Sequence, residues 1–270
     1  MTTNAKHAAE IESGDRFTFG DNWTRFLADL DDDRILAAEN SLRAMLGVTD
    51  LTNRRFLDLG CGSGLFSLAA RRLGALVTSF DYDPRSVACA RELHGRHFPG
   101  DTGWRIEMGS VLDADYLARL GQFDIVYSWG VLHHTGAMYA AFTHLPPVVA
   151  PGGQLFIAIY NDQGWISRYW TQVKRRYNRG PFARGLLIAA HAPYLIGARW
   201  LARTLSGRGR LERGMSYWHD TLDWLGGYPF EVAKPEQVFK FFRERGFQLE
   251  TLVTCGNRMG CNEFVFRRGE

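Results

Sequence analysis

Cysteine is scarce in this sequence. The 270 residues include four, Cys61, Cys89, Cys255 and Cys261, too few and too scattered for a disulfide framework. They form no second Cys or His pair at ligand spacing, so no metal centre is expected. Long apolar runs are missing too. The first twenty residues carry Lys6, Glu10, Glu12, Asp15 and Arg16 without an apolar block, so no secretory leader is expected. The charge-free apolar stretch at residues 185–198 contains His191 and Pro193. It falls short of the roughly 20 residues that a spanning helix needs. Repeats and low-complexity tracts are absent, and a chain 46% hydrophobic and 23% charged is neither disordered nor fibrous. What remains is an enzyme-sized chain with one sizeable core, expected to be cytoplasmic and reduced.

Acid is short in one place. Residues 161–215 hold eleven Lys and Arg against Asp162 and Glu212, within a chain whose net charge is only +3. The remainder is therefore net acidic. Such a block marks a solvated face or a surface that meets anions.

The middle of the chain reads as strands alternating with helices, the pattern of a parallel sheet covered on both faces. Short apolar runs at residues 55–59, 76–80, 104–108, 123–128 and 154–160 predict five strands. Residues 65–73 follow helical spacing and stop at Gly74, and Pro84 suits the first turn of the next helix. Residues 235–245 predict a helix, and residues 247–254 and 261–267 predict two strands that pair as a hairpin. The expected organisation is a helical N-terminal extension at 1–48, a core at 49–160, a basic helical insertion at 161–229, and a return to the core at 230–270.

Chemistry enters at Asp58, Gly60, Cys61, Gly62, Ser63 and Gly64, between the first strand and the following helix. Glycines let the backbone turn sharply and approach a ligand, and the helix behind them points free N–H groups at it. A dinucleotide loop would read G-x-G-x-x-G, but Leu65 follows Gly64 here. The G-x-G-x-G spacing behind an acid suits a nucleoside with an amino-acid tail. Asp81 ends the second strand, 21 residues past Gly60. A carboxylate placed there can accept both ribose hydroxyls.

The stretches 56–64, 80–84, 109–113, 123–134 and 151–155, in this order, resemble the class I S-adenosylmethionine-dependent methyltransferases. The resemblance covers roughly residues 50–160 and the last two strands. It implies a Rossmann-like, seven-stranded, mostly parallel sheet with the last strand antiparallel. It also implies S-adenosylmethionine as methyl donor and S-adenosylhomocysteine as product. By the same resemblance Gly60, Gly62 and Gly64 lie under the methionine tail. Asp81 and its neighbour Tyr82 meet the ribose, Ser110 and Val111 the adenine, and Ser128 and Trp129 the methionine portion.

Transfer to a hydroxyl calls for a base, and an imidazole of near-neutral pKa suits that task. His133 and His134 follow the fourth strand, with His134 the first candidate and backbone-bonded packing the alternative for either. On a helix near residue 220, Trp218, Leu222 and Leu225 make an apolar stripe beside Tyr217, Asp220 and Asp223. Together with Tyr228 these polar residues are candidates to meet the acceptor, or else an ordinary solvated face. The expected acceptor is a small molecule, methylated at oxygen; the alternatives are an RNA or a protein docked through the Arg-rich insertion, or a lipophilic acceptor at a membrane surface. The basic insertion reads first as a lid over the acceptor, second as a peripheral membrane contact. No recognisable RNA-binding module accompanies it, which counts against a nucleic-acid partner.

Overall fold

The computed structural model describes residues 3–206, 217–256 and 258–270; the side chains of residues 4, 21, 25, 198–206, 217–220 and 223 also fall outside the described set. The extension forms three helices, α1 (Thr3–Glu12), α2 (Gly20–Ala28) and α3 (Asp32–Leu46). The core follows with β1 (Arg55–Leu59), α4 (Leu65–Arg72), β2 (Leu76–Asp81), α5 (Pro84–His97), β3 (Trp104–Met108), α6 (Ala114–Leu120), β4 (Phe123–Trp129), α7 (Met138–His144) and β5 (Val149–Tyr160). Next come α8 (Trp165–Tyr177), α9 (Pro181–Ser206) and α10 (Tyr217–Gly226), and the chain closes with α11 (Pro235–Arg243), β6 (Phe247–Val253) and β7 (Cys261–Arg268).

The seven strands lie in the order β3-β2-β1-β4-β5-β7-β6. Those from β1 to β5 pair in parallel, and β7 runs antiparallel to both β5 and β6. Side chains alternate across each strand, so one sheet feeds two cores. Leu57 and Leu59 of β1 point to one face, where Leu117, Phe142 and Phe242 of α6, α7 and α11 pack. Phe56 points to the other, among Leu42, Leu68 and Leu93 of α3, α4 and α5. Helix starts follow from their caps. Asp31, Asp83 and Asp113 each accept a first-turn backbone N–H of the helix they precede, and Gly47 ends α3 in the left-handed conformation.

The start of β5 differs from the sequence reading. The strand begins at Val149 rather than at residue 154, and its pairing with β4 shifts register between Phe123 and Ile125. Gly152 and Gly153, expected to lead into the strand, sit inside it, an irregularity that Gly152, at φ +68°, permits. The helices after β5 make a third, smaller core of Trp170, Val173, Tyr177, Leu195, Leu225 and Phe230. Phe17 and Tyr160 pack against it, so the extension, the insertion and the end of β5 are in contact.

Candidate active site

The carboxyl ends of β1, β2 and β4 open into one cavity of about 150 Å³. Its floor is the glycine loop. Gly60 and Gly62 have φ of +75° and +54°, where a side chain is strained. A Cβ on Gly60 would lie 2.4 Å from Val131 Cγ1, and one on Gly62 would lie 2.8 Å from the Trp23 indole. The Gly60 and Cys61 N–H groups both donate to the Phe80 carbonyl, at 2.8 and 3.0 Å, which fixes the loop against the end of β2. Gly62→Ala is expected to cost about 2 kcal/mol of stability by strain and overpacking against Trp23. A urea-unfolding midpoint equal to the parent's would show that the indole yields freely.

Asp81 stands beside this floor. Its Oδ2 accepts the Gly62 N–H at 2.9 Å and its Oδ1 accepts the Asp83 N–H at 2.8 Å. Burial raises its carboxyl to about 6, while the two N–H donors pull the other way. Tyr82, Ser110, Val111 and Trp129 also line the cavity. Ser110 Oγ accepts the Leu112 N–H at 3.2 Å, and Glu263 of β7 holds the Trp129 indole by accepting its N–H at 2.9 Å.

Five residues expected at the donor do not line the cavity. Asp58 points from β1 into the second core, where Ser67 Oγ donates to it at 2.5 Å. Ser67 in turn meets Ser79 Oγ at 2.6 Å, so this acid anchors α4 beneath the loop. Burial raises Asp58 to about 7 despite Ser67. The Cys61 and Ser63 side chains are buried in the loop, and Gly64 caps α4. Ser128 is buried, its hydroxyl donating to the Leu59 carbonyl at 3.2 Å.

The roof comes from the N-terminal extension, which sequence reasoning did not assign to the site. Lys6, His7, Glu10, Arg16, Phe17, Phe19 and Trp23 all line the cavity. Arg16 is the hub. Its Nε pairs with Glu10 Oε2 at 2.7 Å, its Nη1 donates to the His134 carbonyl at 3.1 Å, and its guanidinium lies 4.8 Å from the centre of the Tyr82 ring. The Tyr82 hydroxyl donates to Glu10 Oε1 at 3.3 Å. Asp83 caps α5 and also accepts the Gly20 N–H at 2.8 Å, tying α2 to the end of β2. The visible sequence signal was only an aromatic cluster, Phe17, Phe19 and Trp23, in an otherwise charged segment.

His134 lies on the cavity wall and His133 does not. His133 is wholly buried against Tyr160, with ring centroids 4.1 Å apart. Burial, then His134, pushes it well below the usual imidazole range, with a hydrogen bond to the Ala158 backbone opposing. His134 Nδ1 lies 2.6 Å from the Pro229 carbonyl. A carbonyl only accepts, so Nδ1 carries the proton and the lone pair is on Nε2. Burial lowers this ring to about 3, with the Pro229 carbonyl opposing. Tyr228 is not on the cavity wall; its carbonyl accepts the Phe17 N–H at 2.9 Å. The side chains of Tyr217, Asp220 and Asp223 lie outside the described residues.

The site suits an adenosyl donor. A glycine floor closed by any added Cβ, a recessed carboxylate beside it, and Val111 and Trp129 on the walls are groups that such a donor can use. Residues 57–157 match the family described as "Methyltransferase domain". A ubiquinone biosynthesis O-methyltransferase of Xanthomonas oryzae pv. oryzae is 30% identical over 201 residues, 74% of this chain and 65% of that protein. The chain thus spans somewhat less than two thirds of that relative's length. A tRNA U34 carboxymethyltransferase of Methylococcus capsulatus is 35% identical over 122 residues, 45% of this chain and 36% of that one. Magnesium protoporphyrin IX methyltransferase from Synechocystis PCC 6803, solved with S-adenosylhomocysteine, shares the fold at TM-score 0.55 and 15% identity, over 92% of this chain and 94% of that one. The glycine floor, the sheet order and the domain match agree: residues 57–157 are an S-adenosylmethionine-dependent methyltransferase domain, on the Rossmann-like fold of the class I enzymes.

Proposed function

We propose that the protein transfers a methyl group from S-adenosylmethionine to a hydroxyl oxygen of a small molecule. The observation that carries this reading is the roof. Phe17, Phe19 and Trp23 cover the glycine floor, leaving a small cavity rather than an open groove for a polymer. The ubiquinone relative, named as an O-methyltransferase, aligns over 74% of this chain, whereas the tRNA relative aligns over 45% of it.

The donor supplies a sulfonium methyl group; the chain supplies position and dryness. Gly60, Gly62 and Asp81 would hold its nucleoside and tail, Trp129 and Val111 its flat faces, and Arg16 and Lys6 are cations on the cavity wall for its carboxylate. His134 Nε2 is the basic atom offered to the acceptor. Removing a phenolic proton beforehand onto an imidazole of pKa about 3 would be uphill by roughly 9–10 kcal/mol. His134 therefore accepts a hydrogen bond from the neutral hydroxyl and takes the proton only as the new C–O bond forms. The oxygen has by then become far more acidic than an imidazolium.

His134→Ala is expected to lower kcat by roughly 10²- to 10³-fold with donor affinity unchanged within about twofold. Because His134 stays neutral above pH 4, the parent's kcat should show no acid limb from this group between pH 5 and 8. The test is single-turnover transfer to the purified acceptor at a series of pH values. A variant that keeps near-full kcat would remove His134 from the transfer step.

A further inference from the structure

α9 is apolar on both its sides. Leu195 is buried in the third core with Leu187 and Ile188 packed against it, and Ala192 is buried on the same helix. On the outward side, Phe182, Leu186, Ala189 and Pro193 recur at i, i+4, i+7 and i+11, with Ala190 and Tyr194 alongside, and all are exposed. Phe182 is 86% accessible, Leu186 63% and Tyr194 66%. A helix apolar around its circumference ordinarily has something on each face.

α8 continues the surface. Trp165 is 69% accessible, and Tyr169 is exposed one turn further on. The Tyr169 hydroxyl meets His191 Nε2 at 2.7 Å, joining the outer faces of the two helices. Arg168, Arg175, Arg176 and Arg184 are exposed on the same two helices, and Arg179 on the turn between them. Residues 163–206 contain no Asp or Glu.

We propose that this face docks on an anionic lipid bilayer, with α9 lying in the plane of the interface. Apolar side chains with exposed Trp and Tyr, bordered by arginines and free of acid, match acyl chains below and phosphate headgroups around them. Among the described residues no helix is long and apolar enough to cross a membrane, so the contact is peripheral. A second copy of this chain fits poorly, because a twofold contact would set these arginines against themselves. Residues 207–216 fit poorly for the same reason: they carry Arg208, Arg210 and Arg213 against one acid, Glu212. Phe182, Tyr194, Trp165 and Tyr169 are rings on which a base can stack, but Leu186, Ala189 and Pro193 on the same face offer an RNA neither stacking surface nor hydrogen bond, so the bilayer fits the face better.

The proposal is independent of the acceptor and of methyl transfer. Its test is flotation of the full chain with vesicles of equimolar phosphatidylglycerol and phosphatidylcholine, against vesicles of phosphatidylcholine alone. Partition should favour the anionic vesicles by roughly tenfold or more and weaken with salt. Phe182→Glu with Leu186→Glu should lower it at least roughly tenfold, while S-adenosylhomocysteine affinity, read by calorimetry, is unchanged. If that variant binds no S-adenosylhomocysteine while the parent does, Arg175→Glu with Arg176→Glu replaces it, with the same loss expected. Absence of partition, partition unchanged in the folded variant, a parental dimer that the variant dissolves, or displacement from vesicles by RNA would each overturn the proposal. Failure of the parent to bind S-adenosylhomocysteine would count against the proposed function and leave the vesicle result standing.

Discussion

Asp81→Asn is expected to weaken S-adenosylhomocysteine binding by about 2–3 kcal/mol, or roughly 30- to 150-fold in Kd. The amide loses the charge that two ribose hydroxyls would bond and presents an NH2 where a backbone donor already points. The parent should also bind with a characteristic pH dependence. Asp81 in the empty site has a pKa of about 6, raised from 3.8 by burial. The raised value means that stability from its neutral form is complete below 3.8 and is lost as pH rises through about 6. Binding runs the other way, because the ribose needs the carboxylate. Affinity should therefore be flat above pH 7 and fall, approaching tenfold per pH unit, below about 6. The Asn variant should lack that limb. Asp58, raised to about 7 under the loop, also ionises in this range; the Asp81 charge contributes to that rise, so in the Asn variant any limb from Asp58 moves to lower pH. Equal affinities in calorimetry at pH 7.5 would remove Asp81 from the donor site.

Deleting residues 1–19 should have an effect of similar size by another route. The deletion takes Lys6, His7, Glu10, Arg16, Phe17 and Phe19 from the cavity, while α3 and both sheet cores stay. Loss of the Arg16 contacts and of the apolar roof should raise the donor KM by roughly 10²-fold, with a matching rise in the donor dissociation rate. Circular dichroism should retain the helix and strand signal of the core. A folded truncated protein with a donor KM within about twofold of the parent's would show that the roof does not hold the donor.

What could be read in the sequence were the parts that the backbone fixes locally. Gly60 and Gly62 line the cavity as expected, because their positive φ and lack of Cβ are consequences of where the chain must turn. Asp81 lines it because it ends a strand beside that turn. Asp58 did not follow, although it belongs to the same motif. Period-two alternation turns it to the Phe56 face, under α4, where Ser67 satisfies it. The roof was illegible for a different reason. Nothing local in residues 1–23 says which end of the sheet they cover; Arg16 reaches the carbonyl of His134, 118 residues away. The two histidines show the same limit. Adjacent in sequence and identical in chemistry, they part only in three dimensions, His133 into the packing with Tyr160 and His134 onto the cavity wall with its tautomer set by Pro229.

The most direct test of the account is transfer of a radiolabelled methyl group from S-adenosylmethionine into a cell extract, separated afterwards into small-molecule, lipid, RNA and protein fractions. The account expects label in the small-molecule or lipid fraction, stable to mild alkali as an ether is and a methyl ester is not, and lost in Asp81→Asn. Label in RNA or protein, or label that alkali releases, would contradict transfer to a small-molecule hydroxyl.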